Sequence, residues 1–399
     1  MTPVEQTVVL QEYRSRSLPE TAFSWEAAEI LARSQYRGMV NVEGPTPLNG
    51  RQWRLTAQGW AGFIRLTETL ALSLQPKTSI CNLFGMFEYA YRLNSFDFGH
   101  GLISTQSLQE VYEQLASVLA RRILDRSRKG LYRAYLPEDQ RLAYIRGRFD
   151  VPASVRRPWD ANLRCHYHEH TADVEENQIL AWTLWRIVRS GYCRERVLPV
   201  VRQAYRAVQS FTSLQPFSPD ACDERLYHRL NQDYRPLHAL SRFFLAQSGP
   251  SHYIGDRQMA PFVVNMAQLY EQFVAEWLVA HKPDGWRVKK QASLSYGSHG
   301  QRSFRPDIIV EDAATGRTLL VLDTKYKVNA SPDDADIAQM VAYAVMTGCR
   351  ETALIYPSLP ENAETYSLQG IRVHSVSFAV DGDLEEAGRR FLAAVGEMA

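Results

Sequence analysis

The chain has 399 residues, 45% hydrophobic and 22% charged, which excludes a disordered chain and is enough for two or three domains with real cores. A formal net charge of +1 excludes a uniformly basic nucleic-acid binder, so any such surface is a local patch. The five cysteines (Cys81, Cys165, Cys193, Cys222, Cys349) hold no CxxC pair, which argues against a zinc ribbon or a disulfide framework and for a reducing compartment.

The opening stretch, MTPVEQTVVLQEYRSRS, lacks a signal-peptide layout, and no apolar run reaches the ~18 residues of a membrane span. A soluble, cytoplasmic protein without membrane contact is expected. Residues 1–76 read as a small β-rich domain. Thr7–Tyr13, Met39–Val42, Gln52–Leu55, Gly62–Leu66 and Leu70–Leu74 are strand candidates, and Ser24 caps a helix that runs to Ala32. Residues 77–255 read as mainly helical. Helices are predicted over Ile80–Leu93, Leu108–Leu124, Asn177–Ser190 and Val197–Phe211, with Gly130 as a stop. Arg141–Val151 reads as a strand, and Gln215–Pro219 and Ser248–Ser251 as loops. Residues 256–399 read as an α/β unit. Its order is a helix at Phe262–Ala280, a strand at Trp286–Leu294, a Gly/Ser loop at Tyr296–Ser303, strands at Phe304–Val310 and Thr318–Leu322, a helix at Asp333–Thr347, strands at Ala353–Tyr356 and Ile371–Val380, and a helix at Leu384–Val395. The fold class is α+β, multidomain.

Chemistry concentrates in the stretch from Phe304 to Lys327. Residues two apart on a strand share a face, so Asp323 and Lys325 point the same way, and Asp307 reaches them across the hairpin. Asp323 ends an apolar strand, where a bare carboxylate costs several kcal/mol unless paired or metal-bound. Two carboxylates and a lysine suit phosphodiester hydrolysis with Mg²⁺, or with Mn²⁺ in its place. Gln339 and Tyr343 lie one helical turn apart on the following helix, and Glu271 stands in an apolar face of the preceding one.

Other constellations are weaker. Cys165-His166-Tyr167-His168-Glu169-His170 looks like a metal site, but alternation puts the histidines on one strand face and Cys165 on the other, and no second Cys/His pair follows. A structural strand with an exposed histidine edge is expected. The basic runs Arg121–Arg133 and Arg156–Arg157 suit phosphates, a partner or plain solvation. There is no GxxxxGK[ST] phosphate loop and no GxSxG nucleophile motif.

Pro306-Asp307 followed by Asp323-Thr324-Lys325 resembles the PD-(D/E)xK nuclease fold, and Gln339-x-x-x-Tyr343 is similar to the element of its RecB-like branch. Glu271 matches the glutamate often found on the first core helix. Further stretches resemble the McrC family: Leu74-Gln75-Pro76-Lys77 with Asn82-Leu83 and Met86 to Tyr91; Gly130-Leu131, Tyr135 and Ile145 to Asp150; Cys165-x-Tyr167-x-Glu169 with Asp173 and Asn177; and Leu354 to Pro357. The resemblance implies a DNA endonuclease subunit of a modification-dependent restriction system. Its implied partners are a McrB-like AAA+ GTPase ring, which it docks on and stimulates, and double-stranded DNA with modified cytosine. It implies catalytic roles for Asp307, Asp323, Lys325, Glu271, Gln339 and Tyr343. The implied metal ligands are Asp307, Asp323, the Thr324 carbonyl and Glu271. It places docking in residues 1–255. In Arg146-Gly147-Arg148 it favours a structural or interface role over catalysis. Two other readings stand beside it, an autonomous DNA repair or processing nuclease and a non-catalytic activator of an AAA+ motor.

Overall fold

A computed structural model describes residues 6–33, 36–67, 69–77, 80–91, 108–157, 159–223, 225–247, 252–254, 257–259, 262–296, 302–327, 332–358 and 365–399. The loop expected at 248–251, residues 297–301 of the loop expected at Tyr296–Ser303, and the helix end expected at Leu93 lie outside them; the ends of the second loop, Tyr296 and Arg302–Ser303, belong to strands. By contact the chain divides into two compact units, Met1–Val111 with Gly249–Ala399, and Tyr112–Ser248. Among the described residues no helix is long and apolar enough to cross a membrane.

The first unit opens with β1 (Gln6–Gln11), β2 (Ser15–Pro19), α1 (Trp25–Ala32), β3 (Val40–Glu43), β4 (Gln52–Ala57), β5 (Trp60–Arg65), β6 (Leu70–Gln75) and α2 (Ile80–Ala90). Each expected strand is present to within two residues. Strand β4 shows why: Trp53, Leu55 and Ala57 alternate inward while Gln52 and Arg54 face out. Ser24 caps α1, its Oγ accepting from the Ala27 N–H at 3.2 Å. Strands β2-β4-β3 form one antiparallel sheet. In a second sheet β1 runs parallel to β6, and β6 is antiparallel to β5. One core lies under both, centred on the fully buried Trp53.

The second unit takes most of α3 (Leu108–Arg128), then β7 (Ala134–Leu142), β8 (Arg148–Phe149), α4 (Val151–Val155), β9 (Leu163–Thr171), α5 (Glu175–Ser190), α6 (Leu198–Gln209) and α7 (Tyr234–Gln247). The strand expected over Arg141–Val151 does not form as one piece. Gly147 breaks it with a φ of +69°, a left-handed turn whose Cβ, if present, would stand 2.6 Å from the His166 carbonyl oxygen. Helix α7 has no counterpart in the sequence reading. Its Pro236 lies in the first turn, where an intrahelical N–H is not needed, so it permits the helix.

The chain returns to the first unit with β10 (His252–Ile254), β11 (Arg257–Met259), β12 (Phe262–Asn265), α8 (Met266–His281), β13 (Trp286–Lys290), β14 (Leu294–Tyr296), β15 (Arg302–Phe304), β16 (Ile308–Asp312) and β17 (Thr318–Thr324). It closes with α9 (Asp334–Thr347), β18 (Glu351–Tyr356), β19 (Tyr366–Leu368), β20 (Ile371–Ser377) and α10 (Leu384–Met398). Six strands form one mixed sheet, β13-β16-β17-β18-β20-β19, parallel through β17, β18 and β20. The helix expected from Phe262 starts four residues late. Asn265 caps α8, its side chain accepting from the Gln268 N–H at 3.1 Å. The Phe-Val-Val run before it adds β12 to the N-terminal sheet, antiparallel to β5. Gly62 makes that pairing possible. A Cβ there would lie 2.2 Å from the Phe262 carbonyl oxygen. The expected strand at Phe304–Val310 is also shorter. Pro306 has no N–H for a ladder, so β16 begins at Ile308, and Phe304 pairs instead with Leu294.

Candidate functional site

Strands β16 and β17 are antiparallel with Ile308 opposite Leu322, which sets Asp307 beside the C-terminal end of β17. Both strands are buried runs of Ile, Val and Leu, so the register is fixed by the core and the polar residues collect at the strand end. Asp307 is anchored there. One of its oxygens accepts from the Thr324 N–H and from the Thr324 hydroxyl, each at 2.7 Å. Thr324 thus holds Asp307 through its amide and side chain.

Asp323 is 4% exposed. Burial and the Asp307 charge together push its carboxyl up to about 6. Asp307 is raised for the same first reason, burial, against the opposing Thr324 hydrogen bonds. Lys325 Nζ stands 2.9 Å from Asp323 Oδ2. Burial would pull the ammonium's pKa down, but the Asp323 charge and hydrogen bonds outweigh it, and the net shift is upward. The lysine is therefore a cation at neutral pH.

Helix α9 closes the other side. Lys325 Nζ donates to Gln339 Oε1 at 3.0 Å, Gln339 Nε2 donates to Tyr343 Oη at 2.6 Å, and Tyr343 Oη donates to the Arg305 carbonyl at 3.3 Å. The sequence is directional. An ammonium only donates, so the Gln339 amide must turn its oxygen to Lys325 and its nitrogen to Tyr343. Glu271, half-buried on α8, is raised by burial and then by the Asp307 and Asp323 charges. The structure thus brings the six residues picked as catalytic to one end of the sheet, together with Thr324, the seventh residue picked.

Two residues at the site escaped the sequence reading. Gln291, just past β13, has a φ of +46°, uncommon for a side chain of its kind. Its N–H donates to the Asp307 carbonyl at 2.8 Å, and its side-chain amide donates to Glu271 Oε1 at 2.7 Å. Nothing in the sequence marks it. Asp336 on α9 is 7% exposed and lies 3.1 Å from Lys325 Nζ. Its signal was available, an acidic residue one turn before Gln339.

Among the described residues, no group of three or more His, Cys, Asp or Glu is arranged to hold a metal ion. The donor chemistry of Asp307, Asp323 and Glu271 nevertheless suits a hard dication. All three offer oxygen, and all are raised toward neutrality by burial, with carboxylate repulsion adding to it at Asp323 and Glu271, a penalty that a cation would relieve. Mg²⁺ usually takes only one or two protein carboxylates and keeps several waters. The Cys165–His170 strand has other partners. Cys165 is buried, His166 lies 3.7 Å from Asp139 and 3.5 Å from Asp150, and His170 stacks on Tyr135. In the basic run, Arg126 pairs with Asp233 at 3.0 Å and covers the Tyr234 ring.

A family model described as McrBC 5-methylcytosine restriction system component matches residues 55–357. Among solved structures, the chain is similar to a chain of the refined half-complex from the tetradecameric assembly of Thermococcus gammatolerans McrB AAA+ hexamers with bound McrC. The TM-score is 0.61 at 16% identity, over 99% of this chain and 100% of that one. It also matches a chain of the Thermococcus gammatolerans McrBC complex seen by cryo-EM, with TM-score 0.45 and 17% identity, over 69% of this chain and 87% of that one. No curated protein matches the sequence. The first likeness, at its low identity, speaks for the fold, a mixed α/β arrangement of several sheets. The family match covers well over half of the chain and is independent of it. On that match, the chain belongs to the McrBC 5-methylcytosine restriction system component family.

Proposed function

We propose that this chain is the DNA-cutting subunit of a modification-dependent restriction system. It hydrolyses phosphodiesters with Mg²⁺ at a PD-(D/E)xK site and works with a McrB-like AAA+ GTPase ring that it docks on and stimulates. The observation that carries the reading is the convergence of Asp307, Asp323 and Lys325 at the end of β17, with Lys325 tied through Gln339 to Tyr343. A structural ion pair would need only one carboxylate. Here a second buried carboxylate stands close enough to raise the first, an arrangement that costs stability and suits a cation. The family match and the fold likeness to a chain from an McrB–McrC assembly support the restriction role and the partner.

Asp307 and Asp323 would hold the metal, with the Thr324 carbonyl as a further oxygen donor and Glu271 orienting the metal's waters. Bound there, Mg²⁺ supplies Lewis-acid charge to the scissile phosphate. The chain's own residues do the rest. Thr324 and Gln291 fix Asp307 and Glu271 in place. Lys325 keeps its proton and offers a positive charge beside the phosphate, stabilising the charge that builds during attack. Gln339 and Tyr343 set the lysine's direction rather than touching the reacting atoms. This sequence has no phosphate loop of its own, so GTP hydrolysis falls to the partner, which on this reading also presents the DNA with modified cytosine.

The test is cleavage of modified DNA by the chain together with its GTPase partner, Mg²⁺ and GTP. Asp323→Ala and Lys325→Ala each abolish cutting, while partner binding and GTPase stimulation persist. Retained cutting by either purified variant would sink the assignment. The isolated wild-type chain is expected to be nearly inactive, and robust cutting without the GTPase would favour an autonomous nuclease.

A further inference from the structure

Lys325 touches three acceptors, and one of them has no place in the motif. Its Nζ lies 2.9 Å from Asp323 Oδ2, 3.0 Å from Gln339 Oε1 and 3.1 Å from Asp336 Oδ1. Three acceptors match the three N–H donors of an ammonium. Asp336 spends its other oxygen on Lys327, at 2.9 Å, and Lys327 also reaches Asp333 at 3.3 Å. The side chains of Asp323 and Asp336 are 5% and 9% exposed, so the Lys325 contacts lie largely out of water, while Lys327 reaches Asp336 from the surface.

A plainer role is available. Asp336 completes a capping box with Asp333 at the start of α9. Its N–H donates to Asp333 Oδ1 at 2.8 Å, a good bond, but the reciprocal bond from the Asp333 N–H to Asp336 Oδ2 is long, at 3.5 Å. The close contacts of the carboxylate are to the two lysines. Capping would be served by a neutral acceptor, whereas holding an ammonium in a buried place calls for a charge.

We propose that Asp336 is a positioning residue that holds Lys325 in place when Asp323 is committed elsewhere, with Lys327 as its counter-ion. Asp323 has two claims on it under the reading above, the lysine and the metal. A lysine held by Asp323 alone would lose its aim when that carboxylate turned to a cation. Asp336 and Gln339 keep two of the three contacts. Lys327 occupies the far oxygen and offsets the second negative charge, so Asp336 stays ionised without adding an unbalanced charge to the site. The inference rests on the nuclease reading for its catalytic meaning, but its geometry can be probed without activity.

The experiment is trace acetylation of the full chain with acetic anhydride, with and without Mg²⁺, read as the rate at Lys325 relative to the exposed Lys129 by peptide mass spectrometry. Asp336→Asn keeps a capping acceptor and loses the charge. It is expected to raise the relative rate at Lys325 about threefold or more, as an amine held by two contacts instead of three is more open to the reagent. Asp333→Ala removes the helix cap but leaves Asp336, and should leave Lys325 within about twofold of the wild type. No change in Asp336→Asn, or an equal rise in Asp333→Ala, overturns the proposal. In the cleavage assay with the GTPase partner, Asp336→Asn is expected to lower kcat roughly 10- to 100-fold with KM for DNA little changed, and Asp336→Glu to recover part of the loss. Full-rate cutting by Asp336→Asn also overturns it. A Lys325→Ala chain that still cuts overturns the nuclease reading, and with it any catalytic sense of this contact, whatever the labelling shows.

Discussion

On the proposed nuclease reading, Asp323 illustrates how function works against stability at a single residue. Its carboxyl sits at about 6 in the folded chain against an ordinary 3.8, because burial and the Asp307 charge both penalise the ionised form. The folded state therefore holds this proton more tightly than the unfolded one. That contribution is fully present below about pH 4 and is lost as the pH rises through about 6. In divalent-free buffer at pH 8, Asp323→Asn should stabilise the protein, on the order of 1–3 kcal/mol at ~1.4 kcal/mol per unit. The gain should fade toward pH 4 in thermal melts. Mg²⁺ should raise the Tm of the wild type and move the variant far less, since only a binding-competent folded state gains by mass action. A variant that melts lower than the wild type at pH 8 would contradict the account. At this scale most of the site was legible. Asp307, Asp323, Lys325, Gln339, Tyr343 and Glu271 are residue types that need a reason to be where the apolar pattern puts them. Gln291 was not legible, because its part depends on a positive φ and on α8 passing nearby, and neither leaves a mark in sequence.

Helices and strands were legible where a local pattern decides them and illegible where a distant partner does. The alternation of β4 and the caps at Ser24 and Asp333 are local. Strand β12 exists because β5 offers an edge, and α7 because its apolar face is covered within its unit. His238 on α7 allows a check. It is fully buried, and its Nε2 lies 3.0 Å from the Glu176 carbonyl of α5. That oxygen only accepts, so Nε2 carries the proton and Nδ1 accepts from Tyr227 Oη at 2.8 Å. Burial, the largest cause, lowers the ring's pKa from 6.5 to about 4. The unfolded chain takes up this proton first. Stability is therefore intact above about pH 6.5 and falls as the pH drops toward 4, by at most about 3.5 kcal/mol at ~1.4 kcal/mol per unit. His238→Gln should flatten that slope, and hydrogen exchange of α5 and α7 amides should report it within the second unit. An unchanged slope in the variant would assign the acid sensitivity to other groups.

At the scale of the whole chain, the sequence reads as three consecutive regions, while contacts divide it at Val111/Tyr112 and Ser248/Gly249. A linear reading cannot see this, because the first unit is assembled from both ends. Strand β12 completes the N-terminal sheet. Helix α2 lies on α8, where Tyr89 meets the Phe273 ring edge-on at 5.9 Å and Asn82 donates to the Val380 carbonyl. Glu12, 1% exposed at the end of β1, accepts from the Lys77 N–H at 3.1 Å and from Tyr326 Oη at 3.4 Å, one residue beyond Lys325. Residues 256–399 produced alone would leave Phe262 and Val264 on an unpaired edge and strip cover from α8. Each large apolar side chain so exposed forfeits roughly 1.5–3 kcal/mol, and a domain's whole stability is only about 5–15 kcal/mol. That fragment should therefore aggregate or melt without a cooperative transition, and co-expression with residues 1–111 should restore a soluble species with one. The measurement is thermal unfolding by circular dichroism with size-exclusion chromatography. A monomeric 256–399 fragment that melts cooperatively would show that the six-stranded sheet stands without the N-terminal one. The Glu12–Tyr326 contact would then be dispensable for the fold of the site it adjoins.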